Sequence, residues 1–191
     1  DSVKFLTKSS ELYRENIRTK IIAITGSCGK TTLKELLGNS LKQLSSVGIS
    51  PKSYNNKYGV PLSLFNLDQK NNYGVLEIGM DKKGEIDYLS KIVKPDVSVI
   101  TNINYAHAKN FKNIKQIALA KSEIINNTKI NGFIVLNADD NFYTLHKKMA
   151  NKRKLNILSF GIDNQNANIK LISIKKIVNK FKAIIRINNL K

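Results

Sequence analysis

Residues 21–32 read IIAITGSCGKTT, and this stretch decides the fold of the chain. The run 21–25 is short, apolar and rich in β-branched side chains, which is typical of a buried strand. It ends at Gly26, and the leucines that follow recur at the spacing of one helix face. That predicted face comprises Leu33, Leu36, Leu37, Leu41 and Leu44. The order of strand, glycine turn and amphipathic helix is the setting in which phosphate-binding loops occur.

The glycine turn carries the chemistry of such a loop. Glycines let backbone N–H groups approach phosphate oxygens, and the helix N-terminus adds positive potential. Lys30 is predicted to reach the β- and γ-phosphates of a nucleotide, and the Thr31 hydroxyl to bind Mg²⁺. Ile24 occupies the first glycine position of the longer motif, so only the shorter pattern G-x-x-G-K-T is met, and an ordinary glycine turn is the alternative. The predicted nucleotide contacts are Gly26, Ser27, Cys28, Gly29, Lys30, Thr31 and Thr32.

Strands and helices alternate along the rest of the chain. The predicted strands are 73–78, 96–103, 132–137 and 155–160, and the predicted helices are 85–93, 114–125 and 141–150. This alternation favours βαβ units with helices on both faces of a parallel sheet. After Gly161, residues 167–174 and 180–187 alternate apolar and polar, which indicates a hairpin. We therefore expect an α/β fold, a doubly wound, mostly parallel sheet of P-loop NTPase type with a C-terminal antiparallel hairpin.

Length and composition exclude several classes of protein. The chain has 191 residues, enough for one domain, and 41% of them are hydrophobic, which argues against disorder. No apolar run approaches the 18 residues or so of a membrane span. The single cysteine, Cys28, excludes an internal disulfide framework and a Cys-based zinc site. These features predict a cytoplasmic protein without membrane insertion.

The net charge of +18 leaves a nucleic-acid interpretation to be weighed. Lysine supplies 28 of the 32 basic residues, arginine is scarce and tryptophan is absent. Lys, Asn and Ile, which are all abundant here, share A/T-rich codons, so genome composition alone can raise the lysine content. We expect no nucleic-acid partner, and the alternatives are a basic nucleic-acid-binding module and a surface that attracts anionic small molecules.

Three polar residues stand at positions that call for a functional explanation. Lys121 lies on the apolar stripe of the helix predicted over 114–125, although lysine is almost never buried unpaired. A side chain that reaches the helix end or an ion pair is the alternative to a lysine with altered chemistry. Glu77 ends one strand and His107 follows the next, where oxygen and imidazole ligands suit Mg²⁺ near phosphates, although a lone histidine is often structural. His146, on a lysine-rich helix, is expected to be solvated.

With these residues in order, the chain resembles the central ATPase domain of the Mur ligase family. The resemblance covers residues 5–161. The segments that carry it are 22–34 (IAITGSCGKTTLK), 55–65 (NNKYGVPLSLF), 76–86 (LEIGMDKKGEI), 101–111 (TNINYAHAKNF), 118–124 (ALAKSEI) and 136–140 (LNADD). Two departures leave loop geometry open, Cys28 in the phosphate loop and Ala108-Lys109-Asn110 after the histidine.

The resemblance implies an ATP-dependent amide ligase of peptidoglycan precursor synthesis, in the branch that adds D-Ala-D-Ala to UDP-N-acetylmuramoyl-tripeptide through an acyl phosphate. It implies ATP and Mg²⁺ as cofactors and catalytic roles for Lys30, His107 and Lys121. The implied metal ligands are Thr31, Glu77, His107 and Lys121, the last as a lysine carbamylated by CO₂. Asn137 matches the adenine contact of the family. Asn55 and Asn56 match the segment that faces the UDP-linked peptide.

The resemblance also implies a domain organisation. Residues 1–19, with a short helix near 9–16, are expected to be a linker from an N-terminal UDP-binding domain. Residues 20–191 are expected to be an incomplete central ATP-binding domain, monomeric and weakly active without the C-terminal ligase domain. Two further functions stay open: that of a Mur-like ligase with a different acid or amine, and that of a P-loop scaffold without catalysis.

Overall fold

The computed structural model describes residues 1–105, 110–178 and 180–188. Its helices are α1 (Ser2–Asn16), α2 (Lys30–Lys42), α3 (Gly59–Phe65), α4 (Glu85–Val93), α5 (Ile114–Lys121), α6 (Glu123–Asn127) and α7 (Tyr143–Lys152). Its strands are β1 (Lys20–Thr25), β2 (Val47–Ile49), β3 (Tyr73–Glu77), β4 (Val97–Ile100), β5 (Phe133–Asn137), β6 (Asn156–Gly161), β7 (Ile169–Ile177) and β8 (Lys180–Ile187). None of the helices in these residues is long and apolar enough to cross a membrane.

The eight strands form one sheet in the order β2-β3-β1-β4-β5-β6-β7-β8. All neighbours pair in parallel except β7 and β8, which form an antiparallel hairpin attached to β6. Strand β1 lies between β3 and β4, so the carboxyl ends of these central strands meet at one edge of the sheet. The predicted fold class, including its C-terminal hairpin, is confirmed.

Alternate residues of the central strand face two separate apolar layers. Ile21 and Ala23 point into the larger layer, which is formed with α1 and α3 to α7. Ile22 and Ile24 point into the smaller one, which is covered by α2. Each fully buried aliphatic side chain contributes roughly 1.5–3 kcal/mol to folding. Helices therefore cover both faces of the sheet, as the alternation of strands and helices predicted.

The buried face of α2 differs from the predicted leucine stripe. Its leucines at 33, 37 and 41 pack against the smaller layer, but Leu36 and Leu44 are 64% and 84% exposed. Lys34 and Gly38 are the fully buried positions of the helix, which turns Leu36 toward solvent. Leu44 is exposed because the helix ends at Lys42.

Other boundaries also differ from the predictions. Helix α1 begins at Ser2 rather than near residue 9, and the helix predicted over 114–125 is divided at Ser122 into α5 and α6. Strand β4 ends at Ile100 because the residues after it turn to bind the glycine loop. Strand β2 and helix α3 were not predicted, since β2 has only 3 residues and α3 contains Pro61.

Candidate functional site

The glycine loop lies at the carboxyl edge of the central strands. It follows β1, while Glu77 ends β3 and Asn137 ends β5. Because these strands are parallel members of one sheet, their ends lie along the same edge. Ligands of open α/β sheets bind at this edge. The structure thus brings the glycine loop, Glu77 and Asn137 to one side of the fold.

Two glycines give the loop its path. Gly26 has a φ of 144° and Gly29 a φ of 80°, values that side-chain-bearing residues rarely adopt. A Cβ at Gly26 would also overlap the hydroxyl of Thr101. Gly29 is the N-cap of α2, so Lys30, Thr31 and Thr32 form the first turn of that helix. The loop therefore leads directly into a helix N-terminus, as phosphate binding requires.

The segment after β4 holds the loop in this shape. The Asn102 side chain accepts the N–H of Cys28 at 3.1 Å and donates to the Cys28 carbonyl at 3.2 Å. Thr101 Oγ1 donates to the same carbonyl at 2.7 Å. The Ser27 hydroxyl and the backbone of Asn104 exchange hydrogen bonds at 2.8 and 2.9 Å. The sequence analysis missed the residues of this segment that brace the loop, because their partners are more than 70 positions away.

Two lysines converge beneath the loop. Lys30 Nζ donates to the carbonyl oxygens of Gly26 and Ser27 at 3.0 and 3.4 Å. Lys121, which is only 2% exposed, donates from α5 to the Gly26 carbonyl oxygen at 2.9 Å. Burial, followed by repulsion from Lys30, lowers the pKa of Lys121 from its ordinary value of 10.5 to about 7. Lys121 is therefore buried, as its place on the apolar stripe indicated, and its pKa is lowered.

A buried carboxylate faces the first turn of α2. Glu77 is 1% exposed, and its two oxygens accept hydrogen bonds from the Thr31 hydroxyl at 2.7 Å and the Asn55 amide at 2.6 Å. Both of these donors are neutral, so a cation here would find an anionic oxygen and a hydroxyl oxygen side by side. Such hard oxygen donors suit Mg²⁺. Among the described residues, no group of three or more His, Cys, Asp and Glu side chains is placed to hold a metal ion. The donors shown at this position are therefore one carboxylate and one hydroxyl.

A cavity of about 730 Å³ opens next to the loop. Its lining includes Lys30, Asn55, Asn56, Lys57, Lys82 and Lys83. Four lysines line the cavity against two acidic residues, Asp81 and Glu85, so the lining carries a net positive charge that favours an anionic ligand. The Asn56 side chain accepts the N–H groups of Tyr58 and Gly59 at 3.1 and 3.0 Å, which fixes the chain at the start of α3. The two asparagines predicted to face a substrate thus border the same cavity as the loop lysine.

The remaining predicted residues have different outcomes. His107 lies outside the described residues. Asn137 Oδ1 accepts the N–H of Asp139 at 3.0 Å, which leaves its amide group for other contacts. The expectation that His146 is solvated is wrong, since it is 2% exposed and its Nε2 lies 3.2 Å from the Ala118 carbonyl oxygen. Helix α7, which carries His146, packs into the larger apolar layer. Burial there lowers the pKa of His146.

The sequence analysis also missed Lys34, which is fully buried in α2. The available signal was its place on the helix, since Lys34 and Gly38 stand one turn apart beside the leucines of the buried face. The same reasoning that identified Lys121 applies to it.

Comparison with known proteins gives concordant matches. A family profile described as the Mur ligase middle domain matches residues 24–189. The UDP-N-acetylmuramoyl-tripeptide–D-alanyl-D-alanine ligase of Buchnera aphidicola subsp. Acyrthosiphon pisum is 39% identical over 163 residues, 85% of this chain and 33% of that protein. MurF from Acinetobacter baumannii has a TM-score of 0.90 at 34% identity, over 98% of this chain and 40% of that one.

A further solved structure, MurF ligase from Thermotoga maritima in complex with ADP, has a TM-score of 0.86 at 34% identity. The match covers 97% of this chain and 42% of that one. The chain thus spans less than half the length of each of these relatives. The phosphate loop, the buried lysine and the strand-end glutamate occupy one site. Since the family profile also covers most of the chain, the chain belongs to the Mur ligase family.

Proposed function

We propose that this chain is the nucleotide-binding part of an ATP-dependent ligase that adds D-Ala-D-Ala to UDP-N-acetylmuramoyl-tripeptide in peptidoglycan precursor synthesis. The observation that carries the proposal is the convergence of Lys30 and Lys121 on the Gly26 carbonyl oxygen, beside the Thr31–Glu77 pair. The substrates are proposed from the name of the Buchnera relative. The assignment of ATP is supported by the ADP complex of the Thermotoga relative.

The loop binds the phosphates of ATP in this proposal. Lys30 exchanges the carbonyl oxygens of Gly26 and Ser27 for oxygens of the β- and γ-phosphates. The backbone N–H groups from Gly26 to Thr32 and the N-terminus of α2 add positive potential. Asn137, two strands away along the same edge, contacts adenine.

Thr31 and Glu77 hold Mg²⁺, and Lys121 and His107 complete the set of ligands. When bound, the ion neutralises charge on the phosphates and on the groups that react. Thr31 and Glu77 fit Mg²⁺ because their oxygens are adjacent. The Glu77 carboxylate is buried, and the side chains that donate to it are neutral. The lowered pKa of Lys121 supports its assignment, since the neutral amine is the form that adds to CO₂. In that addition the amine nitrogen bonds to carbon and loses a proton, which gives an anionic carbamate.

The reaction proceeds in two transfers. The carboxylate of the tripeptide attacks the γ-phosphorus of ATP, which forms an acyl phosphate and releases ADP. The amine of D-Ala-D-Ala then attacks the acyl carbon, phosphate leaves with the former carboxylate oxygen, and the nitrogen loses a proton to give the amide. The cavity beside Asn55 and Asn56 holds the UDP-linked substrate, whose negative charges Lys57, Lys82 and Lys83 attract. Catalysis here consists of positioning and charge neutralisation.

We propose the domain organisation with the same function. Residues 20–191 form the central ATP-binding domain of a monomeric, cytoplasmic enzyme, and residues 1–19 form the linker from a UDP-binding domain. The coverage of less than half of each relative is consistent with this organisation.

Product analysis tests the proposed function. The complete gene product is incubated with ATP, Mg²⁺, UDP-N-acetylmuramoyl-tripeptide and D-Ala-D-Ala, and the products are identified by mass spectrometry. We expect the tripeptide substrate to gain the mass of the dipeptide less one water, and only when ATP is present. Ligation only in a parallel incubation with a free amino acid in place of the dipeptide would assign another Mur-like ligase activity. Absence of any ligated product would contradict the proposal.

A further inference from the structure

Lys34 is a fully buried lysine that the proposed chemistry does not use. It lies on α2 one turn after Thr31, and it is 0% exposed. Its ammonium donates to the carbonyl oxygen of Ser50 at 2.7 Å and to that of Lys52, and it pairs with the Glu35 carboxylate at 3.0 Å. An ammonium has three donors, and here each has an acceptor. Burying a charge is costly unless it is paired in this way. The three acceptors therefore account for the burial of Lys34, and two of them are backbone carbonyls of one segment.

Lys34 holds a segment with an unusual backbone. Lys52 has a φ of 44°, in the left-handed region, and its own carbonyl is one of the two that Lys34 binds. The segment begins at Ser50, whose N–H donates to the Val75 carbonyl at 3.0 Å and whose hydroxyl accepts the N–H of Glu77 at 3.3 Å. Residues with positive φ persist where their surroundings fix them. A buried ammonium thus binds two carbonyl oxygens of this turn, those of Ser50 and Lys52.

The same segment ends at the predicted substrate residue Asn55. The Asn55 carbonyl accepts the N–H of Gly79 at 2.8 Å, and its side-chain amide donates to Glu77 Oε1. Glu77 is therefore contacted from both ends of the segment, at its backbone by Ser50 and at its carboxylate by Asn55. Its second carboxylate oxygen is held by Thr31, from the same helix that carries Lys34.

We infer that Lys34 is a positioning residue, which acts through the 50–55 segment to hold Asn55 and the Glu77 carboxylate in place for the metal and nucleotide. The effect on metal and nucleotide binding rests on the proposed function. The positioning of Asn55 and Glu77 rests on the contacts of the segment alone. Groups that orient metal ligands typically change metal affinity by about 10- to 100-fold when they are removed. We expect an effect of that size from Lys34.

Hydrogen exchange of the chain without nucleotide or metal tests the mechanism. In Lys34→Met, exchange of the Gly79 N–H rises about 10- to 100-fold, because its acceptor Asn55 is released. The neighbouring Ile78 N–H, bonded to the Ile24 carbonyl at 2.9 Å, keeps its rate. Lys170→Met is the matched control, since Lys170 is 6% exposed and its ammonium also lies near a backbone carbonyl, 3.5 Å from the Asp163 oxygen. It leaves the Gly79 rate unchanged.

Rescue distinguishes a positioning role from a contribution to the core. Asparagine tolerates positive φ better than lysine, so Lys52→Asn added to Lys34→Met restores slow exchange at Gly79 in part. Lys34→Gln, which keeps two N–H donors on a shorter and neutral side chain, is the second variant and shows a smaller increase. A folded Lys34→Met or Lys34→Gln protein with the wild-type exchange rate at Gly79 would overturn the inference.

The Mg²⁺ dependence of nucleotide binding tests the consequence. With a fluorescent ATP analogue as the probe, half-saturating Mg²⁺ rises about tenfold in Lys34→Met and stays at the wild-type value in Lys170→Met. Equal Mg²⁺ dependence in the wild type and Lys34→Met would overturn the inference alone. A wild-type chain that binds the analogue without any Mg²⁺ dependence would count against the proposed function, while the exchange experiment would still decide the role of Lys34.

Discussion

Lys30 and Lys121 donate to one acceptor, the carbonyl oxygen of Gly26, at 3.0 and 2.9 Å. The first lysine starts α2 and the second ends α5, so the glycine loop is held between two helices. Burial, together with repulsion from the Lys30 ammonium at the same carbonyl, lowers the pKa of Lys121 to about 7. In the proposed function, Lys30 supplies positive charge for phosphate and Lys121 supplies a reactive amine.

The Thr31 hydroxyl is predicted to be required for Mg²⁺-dependent nucleotide binding. Thr31→Ala removes the oxygen that lies 2.7 Å from Glu77 Oε2. We expect the Mg²⁺-dependent affinity for a fluorescent ATP analogue to fall about 10- to 100-fold. Thr31→Ser keeps the hydroxyl and retains most of the affinity, and Ser40→Ala, at an exposed position of the same helix, is neutral. Equal affinities of Thr31→Ala and the wild type would show that the hydroxyl does not contribute.

The buried His146 predicts a loss of stability in acid. Burial lowers the pKa of its imidazole from the ordinary 6.5, against the opposing effects of the Ala118 carbonyl and Asp140. Below about pH 6.5 the unfolded chain binds a proton that the folded chain resists, so the free energy of unfolding falls as the pH falls. We expect denaturant titrations at about pH 7.5 and pH 5 to show a larger loss for the wild type than for His146→Gln. The same loss in both proteins would contradict this assignment.

Arg14 is predicted to fix α1 to the rest of the fold. It is 5% exposed, and it donates to the Val93 carbonyl at 2.7 Å and pairs with Asp96 at 3.3 Å. Arg14→Met leaves buried acceptors without a donor and is expected to lower the free energy of unfolding by about 2 kcal/mol. Arg18, an exposed residue between α1 and β1, provides the control. We expect the free energy of unfolding of Arg18→Met to stay within about 0.5 kcal/mol of the wild type. A neutral Arg14→Met variant would refute the anchoring role.

The parts of the site that the sequence predicted depend on local patterns. The strand, the glycines and the start of α2 are contiguous, and Lys121 was found because one helical stripe contains a charge among apolar residues. Glu77 could be placed because parallel strands end at the same edge of a sheet. None of these inferences needed knowledge of which distant segments touch.

The parts that were missed depend on long-range contacts. Lys34 is bonded to Ser50, 16 positions away, and Asn102 is bonded to Cys28, 74 positions away. The sequence around Asn102 does not distinguish it from a polar side chain on a solvated surface, whereas Lys34 had one local signal, its place beside the leucines of α2, and its partners could not be read from it. His146 was assigned to solvent for the same reason, because its lysine-rich neighbours hide the fact that its own side chain faces α5.

Phosphate release from ATP by the complete gene product tests the central claim most directly. It is measured with UDP-N-acetylmuramoyl-tripeptide and D-Ala-D-Ala, each omitted in turn, for the wild type, Lys121→Ala and the control Lys115→Ala, which changes an exposed lysine of the same helix. We predict release that needs both substrates, falls by about 100-fold or more in Lys121→Ala and is unchanged in Lys115→Ala. Release that ignores D-Ala-D-Ala, or that is equal in Lys121→Ala and the wild type, would contradict the account.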